Sequence, residues 1–280
     1  LTKPPAFPRR WTIGGAEPIA ETFSSRIWKV LRADGSIAVV KALKLFDDVE
    51  DELRGAHFLA WRRGEGAVRL LGRDGRKMLI EHAGERHLTD VLDRNGDGAA
   101  REIAAEVMAR LHAPSVRPAP AGLQPLRERF AALFAKAAED RIGARQSLYV
   151  EAATLADRLL GDRRGARPLH GDLHHDNILL SPRGWLAIDP KGVLGDPAFD
   201  AANMFYNPLE RDDLCRDPER IADMAAIFSR SMAIDPRRLL DFAVAYDCLS
   251  AAWHAGDGNG ADETRELSVA NAIRAVRLGF

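Results

Sequence analysis

The densest run of chemically capable side chains is LHGDLHHDNILL, residues 169–180. His170 and His174 stand four apart, a spacing that suits zinc on one helix face. The helical zinc-protease motif, however, places its general-base Glu directly after the first His, and Gly171 occupies that place. Glycine there also argues against a regular helix. Oxygen chemistry fits better. Ile178–Leu180 and Trp185–Ile188 read as the two strands of a hairpin around the turn residues SPRG. In an antiparallel pair, the residue before the first strand and the residue after the second lie at the same end. Asn177 and Asp189 are thereby brought together, with Asp172 on the preceding loop. Two carboxylates and an amide oxygen are hard ligands of the kind that suit Mg2+, which keeps some waters and takes further ligands from substrate phosphates. An isolated Asp-x4-Asn is more often a polar hairpin entrance satisfied by its own hydrogen bonds. The weight therefore falls on what surrounds it.

The constellation resembles the catalytic loop and metal-binding aspartate of eukaryotic-like kinases. The upstream half supplies the other parts that phosphoryl transfer needs. Lys41 follows the apolar run Ile37–Val40 and is placed to hold nucleotide phosphates. Glu52 is the expected partner of Lys41, because the small Gly55 and Ala56 one turn on permit close packing. Glu50 and Asp51 compete for that role but suit a solvated first turn. AETFSSRIWKV reads as the turn over the phosphates; it lacks a Gly-x-Gly-x-x-Gly run, leaving Ser24 and Ser25 to offer hydroxyl and amide donors. Backbone groups around Glu81 and Ala83 would meet the adenine edge. His170 reads as support for the loop backbone, and His174 and His175 as loop packing.

The elements that must position these residues change character along the chain. Its first eighty residues read as β-hairpin, helix, β-hairpin, with a turn at ADGS and another at Arg73–Arg76, and acids crowding the start of the helix between them. From Thr89 onward the pattern is helical: AAREIAAEVMARLHAP, LRERFAALFAKAAEDR, YVEAATLADRLLGD, PERIADMAAIFSRSM, PRRLLDFAVAYDCLSAAWHA and ADETRELSVANAIRAVRLG all carry amphipathic spacing. The Pro-rich APSVRPAPAGLQP joins helices. The expectation is an α+β, two-lobed protein-kinase-like fold. Its small β-rich nucleotide-binding N-lobe would span residues 1–82, and its helical C-lobe with the catalytic loop and substrate site residues 83–280. Charge is balanced, 40 basic against 41 acidic residues, which gives no support to a nucleic-acid or membrane-surface partner. Cys215 and Cys248 stand far apart without metal-ligand spacing, which suits a reducing cytosol. No apolar run approaches a transmembrane span. We expect a cytoplasmic monomer with a small-molecule substrate.

Beyond fold level, HGDLHHDN followed by AIDP resembles the aminoglycoside phosphotransferase family of small-molecule kinases. The runs TFSSRIWKV, DELRGA, AVRLLGRD, RGWLAIDPKGVLGDPAFDAANMFYNP, RDDLC and CLSAAW are similar to its streptomycin 6-phosphotransferase branch, the aminoglycoside/hydroxyurea resistance kinases. The glycine-poor phosphate turn is usual for that family. The resemblance implies ATP and Mg2+, Asp172 as catalytic base, Asn177 and Asp189 as metal ligands, and Lys41 on the phosphates. It also implies a streptomycin 6-hydroxyl acceptor. Streptomycin carries guanidinium groups, and these need carboxylates. Asp196 and Asp200 lie just past the metal aspartate; Asp247, Asp257, Asp262 and Glu263 lie near Trp253. Asp200 is the favoured acid, and Asp196 and Trp253 are the further candidate substrate contacts. Two rivals stand: a kinase of another hydroxylated metabolite (hydroxyurea, a choline-like alcohol or a sugar amine), and a nucleotide-binding pseudokinase.

Overall fold

The computed structural model describes residues 4–45, 49–162 and 165–280. The acids at 47–48, expected at the start of the first helix, lie outside them. Strands β1 (Ile13–Glu21), β2 (Ser25–Arg32) and β3 (Ile37–Leu43) precede helix α1 (Val49–Arg62), and β4 (Leu70–Asp74) and β5 (Lys77–Glu81) follow it. They form one antiparallel sheet in the order β1-β2-β3-β5-β4. The two expected hairpins are therefore joined edge to edge, and β1 is an added strand. β1 escapes a pattern reading because nearly all its residues are exposed at the sheet edge, so no alternation marks it. One sheet face packs Trp11, Trp28, Val30, Ala38, Val40 and Leu79; the other closes over α1 through Leu43, Ala56 and Met78. Lys41 stands on the central strand β3, opposite Ile27 and Met78.

The change from sheet to helices falls between the end of β5 and helix α2 (Leu88–Asn95), which runs into α3 (Asp97–Leu111). After β6 (Gln124–Pro125), the expected single helix over 126–141 is two, α4 (Leu126–Arg129) and α5 (Ala131–Ile142), broken at the buried Phe130. α6 (Leu148–Gly161) starts on a Ser147 side-chain cap. Strand β7 (Arg167–Leu169), the hairpin β8 (Ile178–Ser181) and β9 (Gly184–Ala187), and β10 (Val193–Gly195) carry the central motif. Helices α7 (Ala198–Ala202), α8 (Asp212–Cys215), α9 (Pro218–Met232), α10 (Pro236–Gly256) and α11 (Gly260–Arg277) complete the chain. α10 is buried all round from Leu239 to Ala252 and packs against α6, α7, α9 and α11. A helix that is apolar on every side belongs at the centre of a bundle. This is the two-lobed kinase-like architecture, a β-sheet lobe against a helical lobe. Among the described residues no helix is long and apolar enough to cross a membrane.

Candidate active site

A small three-stranded sheet, β6-β10-β7, sets the geometry of the site. β7 leads into the loop carrying Asp172, and β10 follows the loop carrying Asp189. Their antiparallel pairing, Val193 opposite Leu169, lays the two loops side by side. The Lys191 N–H donates to the His170 carbonyl at 2.7 Å, which continues the contact beyond the sheet. The hairpin expectation also holds in space. Ile178 pairs with Ala187, and the Ile188 N–H donates to the Asn177 carbonyl at 2.9 Å, so Asn177 sits one residue from Asp189 across the strand pair.

His170 is fully buried and ties these segments together. Its Nδ1 accepts from the Asp172 N–H at 3.2 Å, which leaves Nε2–H to donate to the Ile188 carbonyl at 2.7 Å. Burial holds this imidazole below the ordinary histidine pKa, consistent with a neutral ring that accepts on one side and donates on the other. Gly171 adopts φ +83°, and a Cβ there would meet Val193 Cγ2 at 2.6 Å. Glycine is required at this bend on both counts. The Asp172 carboxylate receives the Asn203 amide at 3.1 Å, and Asn203 is in turn held by Asn207 at 2.9 Å. The Asn177 amide donates to the Asp172 carbonyl at 2.8 Å, which turns its Oδ1 away from that bond.

Glu52 is buried and receives Lys41 Nζ at 2.5 Å on one oxygen. Its other oxygen receives Lys191 Nζ at 2.8 Å and the Ser24 hydroxyl at 3.3 Å. Lys41 also contacts Asp189. Burial alone would raise the Asp189 pKa, but the charges of Lys41 and Lys191 outweigh it and hold the carboxyl down to about 2. The expected choice of Glu52 over its neighbours agrees with these distances. Glu50 is exposed, and Asp51 is taken by Arg54 and, at 2.6 Å, by Arg129. Gly55 explains the approach of α1: a Cβ there would lie 1.9 Å from the Pro190 carbonyl oxygen. No side chain larger than hydrogen lets α1 rest on the segment after Asp189.

Lys41 and Asp189 line a cavity of about 390 Å³ between the five-stranded sheet and the β8–β9 hairpin. Ile27, Val39, Ile80, Leu179 and Ile188 line its apolar walls, and residues 81–85 form its edge. Among the described residues, no protein hydrogen bond uses the Ala83 N–H or carbonyl, so both are available to a flat heteroaromatic ring. The Glu81 N–H is spent on the Arg69 carbonyl, and its carboxylate is held by Arg183 at 2.8 and 2.6 Å. Its side chain thus braces the β8–β9 turn. Ser25 is likewise internal: its hydroxyl lies 3.0 Å from Thr22 Oγ1 and is buried within the turn.

The favoured substrate acid needs correction. Asp200 is 1% exposed and accepts the His170 N–H at 2.9 Å and the Gly171 N–H at 2.7 Å, with His112 Nε2 3.1 Å away. Both oxygens are taken up by the backbone of the loop that carries Asp172. Asp196 also points elsewhere: it receives Arg238 at 2.6 and 2.9 Å and caps the chain at Ala198. Trp253 is better placed. It lines an open cleft with Asp51, Arg129 and Asp257, and the Arg129 guanidinium lies over its ring at 5.0 Å. Glu263 accepts from the Tyr149 hydroxyl at 2.8 Å, Asp262 from the Asn259 amide at 2.6 Å, and Asp247 is fully buried. His175 is buried, and among the described residues neither ring nitrogen has a hydrogen-bond partner. Lys191, Asn203, Asn207 and His112 escaped the sequence reading. Lys191 alone had a signal, as one of few lysines in an arginine-rich chain.

Residues 10–258 match the aminoglycoside/hydroxyurea antibiotic resistance kinases. The chain belongs to that family. It is 37% identical to a streptomycin 3''-kinase of Klebsiella pneumoniae, covering 96% of this chain and 98% of the relative. It is 32% identical to a streptomycin 6-kinase of Streptomyces griseus, over 94% and 86%. It is 33% identical to a hydroxyurea phosphotransferase of Kitasatospora aureofaciens, over 95% and 76%. In fold it is similar to a thermostable aminoglycoside phosphotransferase APH(4)-Ia bound to ADP and hygromycin B, with TM-score 0.63, 16% identity and 96% of each chain covered. A choline/ethanolamine kinase family protein from Mesorhizobium loti superposes equally well, with TM-score 0.64, 14% identity and coverage of 96% and 94%.

Proposed function

We propose that this kinase transfers the γ-phosphoryl group of ATP to a hydroxyl of streptomycin, with the 6-hydroxyl as the acceptor. The observation that carries the phosphotransfer reading is the Lys41–Glu52–Asp189 clasp. Its Lys41 and Asp189 line the cavity edged by residues 81–85, and the Asp189 segment lies against the loop of Asp172. The donor set fits Mg2+: Asp189 offers a carboxylate kept ionised, and Asn177 an amide oxygen turned away from its own hydrogen bond. Among the described residues no group of three or more His, Cys, Asp or Glu could cage a metal by itself, as suits an ion that shares its ligands with phosphates. When bound there, Mg2+ would neutralise phosphate charge.

Asp172 is the proposed base. The Asn203 amide fixes one of its oxygens, and the His170 and Asn177 bonds fix the backbone on either side. It orients the acceptor hydroxyl and takes its proton as oxygen attacks phosphorus. Lys41 would hold the nucleotide phosphates, and Asp189 with Asn177 would hold the ion. The backbone of Ala83 reads the adenine edge. Positioning and electrostatics supply most of the acceleration in such transfers. Trp253 and Asp257, on the open cleft, are the proposed contacts for the guanidinium groups.

The 3''-kinase relative favours a second position, the 3''-hydroxyl. Incubation with ATP·Mg2+ and a panel of streptomycin, kanamycin, hydroxyurea and choline, read by mass spectrometry, tests the substrate. Phosphorus-coupled NMR of the product fixes the hydroxyl. Preference for choline or kanamycin over streptomycin overturns the substrate and leaves the kinase standing. No ATP consumption with any acceptor favours a nucleotide-binding pseudokinase.

A further inference from the structure

We propose that Lys191 is a second phosphate-contacting cation, placed to meet the γ-phosphoryl group during its transfer. The inference rests on the phosphotransfer reading above. Lys191 Nζ lies 2.8 Å from Glu52 Oε1 and 3.9 Å from Asp189 Oδ2. Lys41 occupies the opposite oxygen of each carboxylate. The two ammonium groups and two carboxylates therefore alternate around one cluster, and Lys191 is the member whose backbone is bonded to the catalytic loop at His170. Lys41 reaches the cluster from β3 and lines the cavity, whereas Lys191 reaches it from the segment laid against the Asp172 loop.

The turn between β1 and β2 explains why a second cation is needed. A glycine-rich loop would offer free amides to phosphate oxygens. Here the Ser25 N–H donates to Thr22 Oγ1 at 3.0 Å, the Thr22 N–H to the Ser25 carbonyl at 2.8 Å, and the Ser24 hydroxyl to Glu52. Those donors are already in use. Glu52, Asp189 and Asp172 together carry three formal negative charges against two from Lys41 and Lys191. A polyphosphate entering this site adds more negative charge, so cations must face it. Lys41 pairs with one Glu52 oxygen and Lys191 with the other, where the Ser24 hydroxyl also donates, so the second ammonium brings one positive charge more than this carboxylate needs.

In the transfer, the bond between γ-phosphorus and the β–γ bridging oxygen breaks, and its electron pair leaves with ADP. The acceptor oxygen bonds to phosphorus, and the hydroxyl proton passes to Asp172. Lys191 gives up no proton; its charge opposes the negative charge on the equatorial oxygens. That interaction is strongest in the transition state, so it raises kcat more than it tightens nucleotide binding.

The test uses Lys191→Met and Lys191→Arg in the full chain. Calorimetry measures affinity for MgADP and for MgADP with aluminium fluoride, which imitates the transferred group, in the presence of streptomycin. Steady-state kinetics supply kcat and KM for ATP. We expect Lys191→Met to keep MgADP affinity within about threefold, while affinity for the aluminium fluoride complex and kcat fall together by roughly 10²–10³, the usual loss for one removed oxyanion donor. Lys191→Arg, which keeps the charge, should recover at least a tenth of both. Equal losses of affinity for the two complexes, near-native kcat, or loss of the cooperative thermal transition in Lys191→Met would each overturn the proposal and leave the lysine as a counter-ion of Glu52. Failure of the unaltered enzyme to bind MgADP at all would instead remove the phosphotransfer reading on which this inference stands.

Discussion

Replacing Asp200 with asparagine separates a loop anchor from a substrate acid. The two carboxylate oxygens accept the N–H groups of His170 and Gly171, both within a site that is 1% exposed. Asparagine has the same shape but one acceptor. Whichever way its amide turns, an NH2 group faces a buried backbone N–H. One charge-assisted bond is lost, worth about 1.5–3 kcal/mol, and a buried donor is left unsatisfied at about 1–3 kcal/mol. The second bond survives as a weaker neutral one. The sum is about 2.5–6 kcal/mol, which at about 2 °C per kcal/mol in a chain of this size corresponds to a melting temperature lower by roughly 5–12 °C. On the proposed function, the variant that stays folded should match the native chain in streptomycin affinity, while kcat falls because the Asp172 loop is loosened. Scanning calorimetry and streptomycin titration read the two effects separately. A native melting temperature with streptomycin affinity weakened tenfold or more would refute the reasoning and return Asp200 to the substrate site.

Asp172→Ala should lower kcat by roughly 10²–10⁴, the range for a positioned base, with MgADP affinity retained by calorimetry. Gly55→Ala should destabilise by about 1–3 kcal/mol and raise KM for ATP, because the added methyl drives α1 and Glu52 away from Pro190; denaturant unfolding and steady-state kinetics check both parts. Glu81 has a depressed carboxyl pKa: burial raises it, and the Arg183 guanidinium and Arg69 amide more than offset this. Its contribution is therefore present above the unfolded value of about 4.3 and disappears as pH falls through the folded one. Glu81→Gln should cost about 1 kcal/mol at pH 7 and nothing near pH 2, measured by urea unfolding at both. Asp247 has its pKa raised by burial and by the nearby Glu266, and among the described residues neither oxygen has a hydrogen-bond partner. A carboxyl raised in this way loses stability as pH climbs above its unfolded value, so Asp247→Asn should be more stable than the native chain by an amount that grows with pH.

Much of the site was legible in the chain because hairpins and helices are local. The hairpin around SPRG sets Asn177 beside Asp189 by strand pairing alone, and the acids of α1 with Gly55 single out Glu52 as the partner of Lys41. The fold class followed from the change of apolar period near residue 82, and the family from the long runs around HGDLHHDN. What the tertiary structure decided is which polar side chains face inward to the backbone and which face a ligand. Asp200 lies only eleven positions past Asp189, and its spacing suits either role. It becomes an anchor because β7 and β10 pair and bring the His170 and Gly171 amides onto it. Asn203 reaches Asp172 across thirty-one positions, and Lys191 reaches Glu52 across one hundred and thirty-nine. Neither contact has a periodic signature, since hydrophobic spacing records which face is buried and says nothing about which polar groups meet there. That pairing is fixed only when the small sheet, the hairpin and α1 close on one another, where each buried charge must find a partner or remain accessible to a ligand.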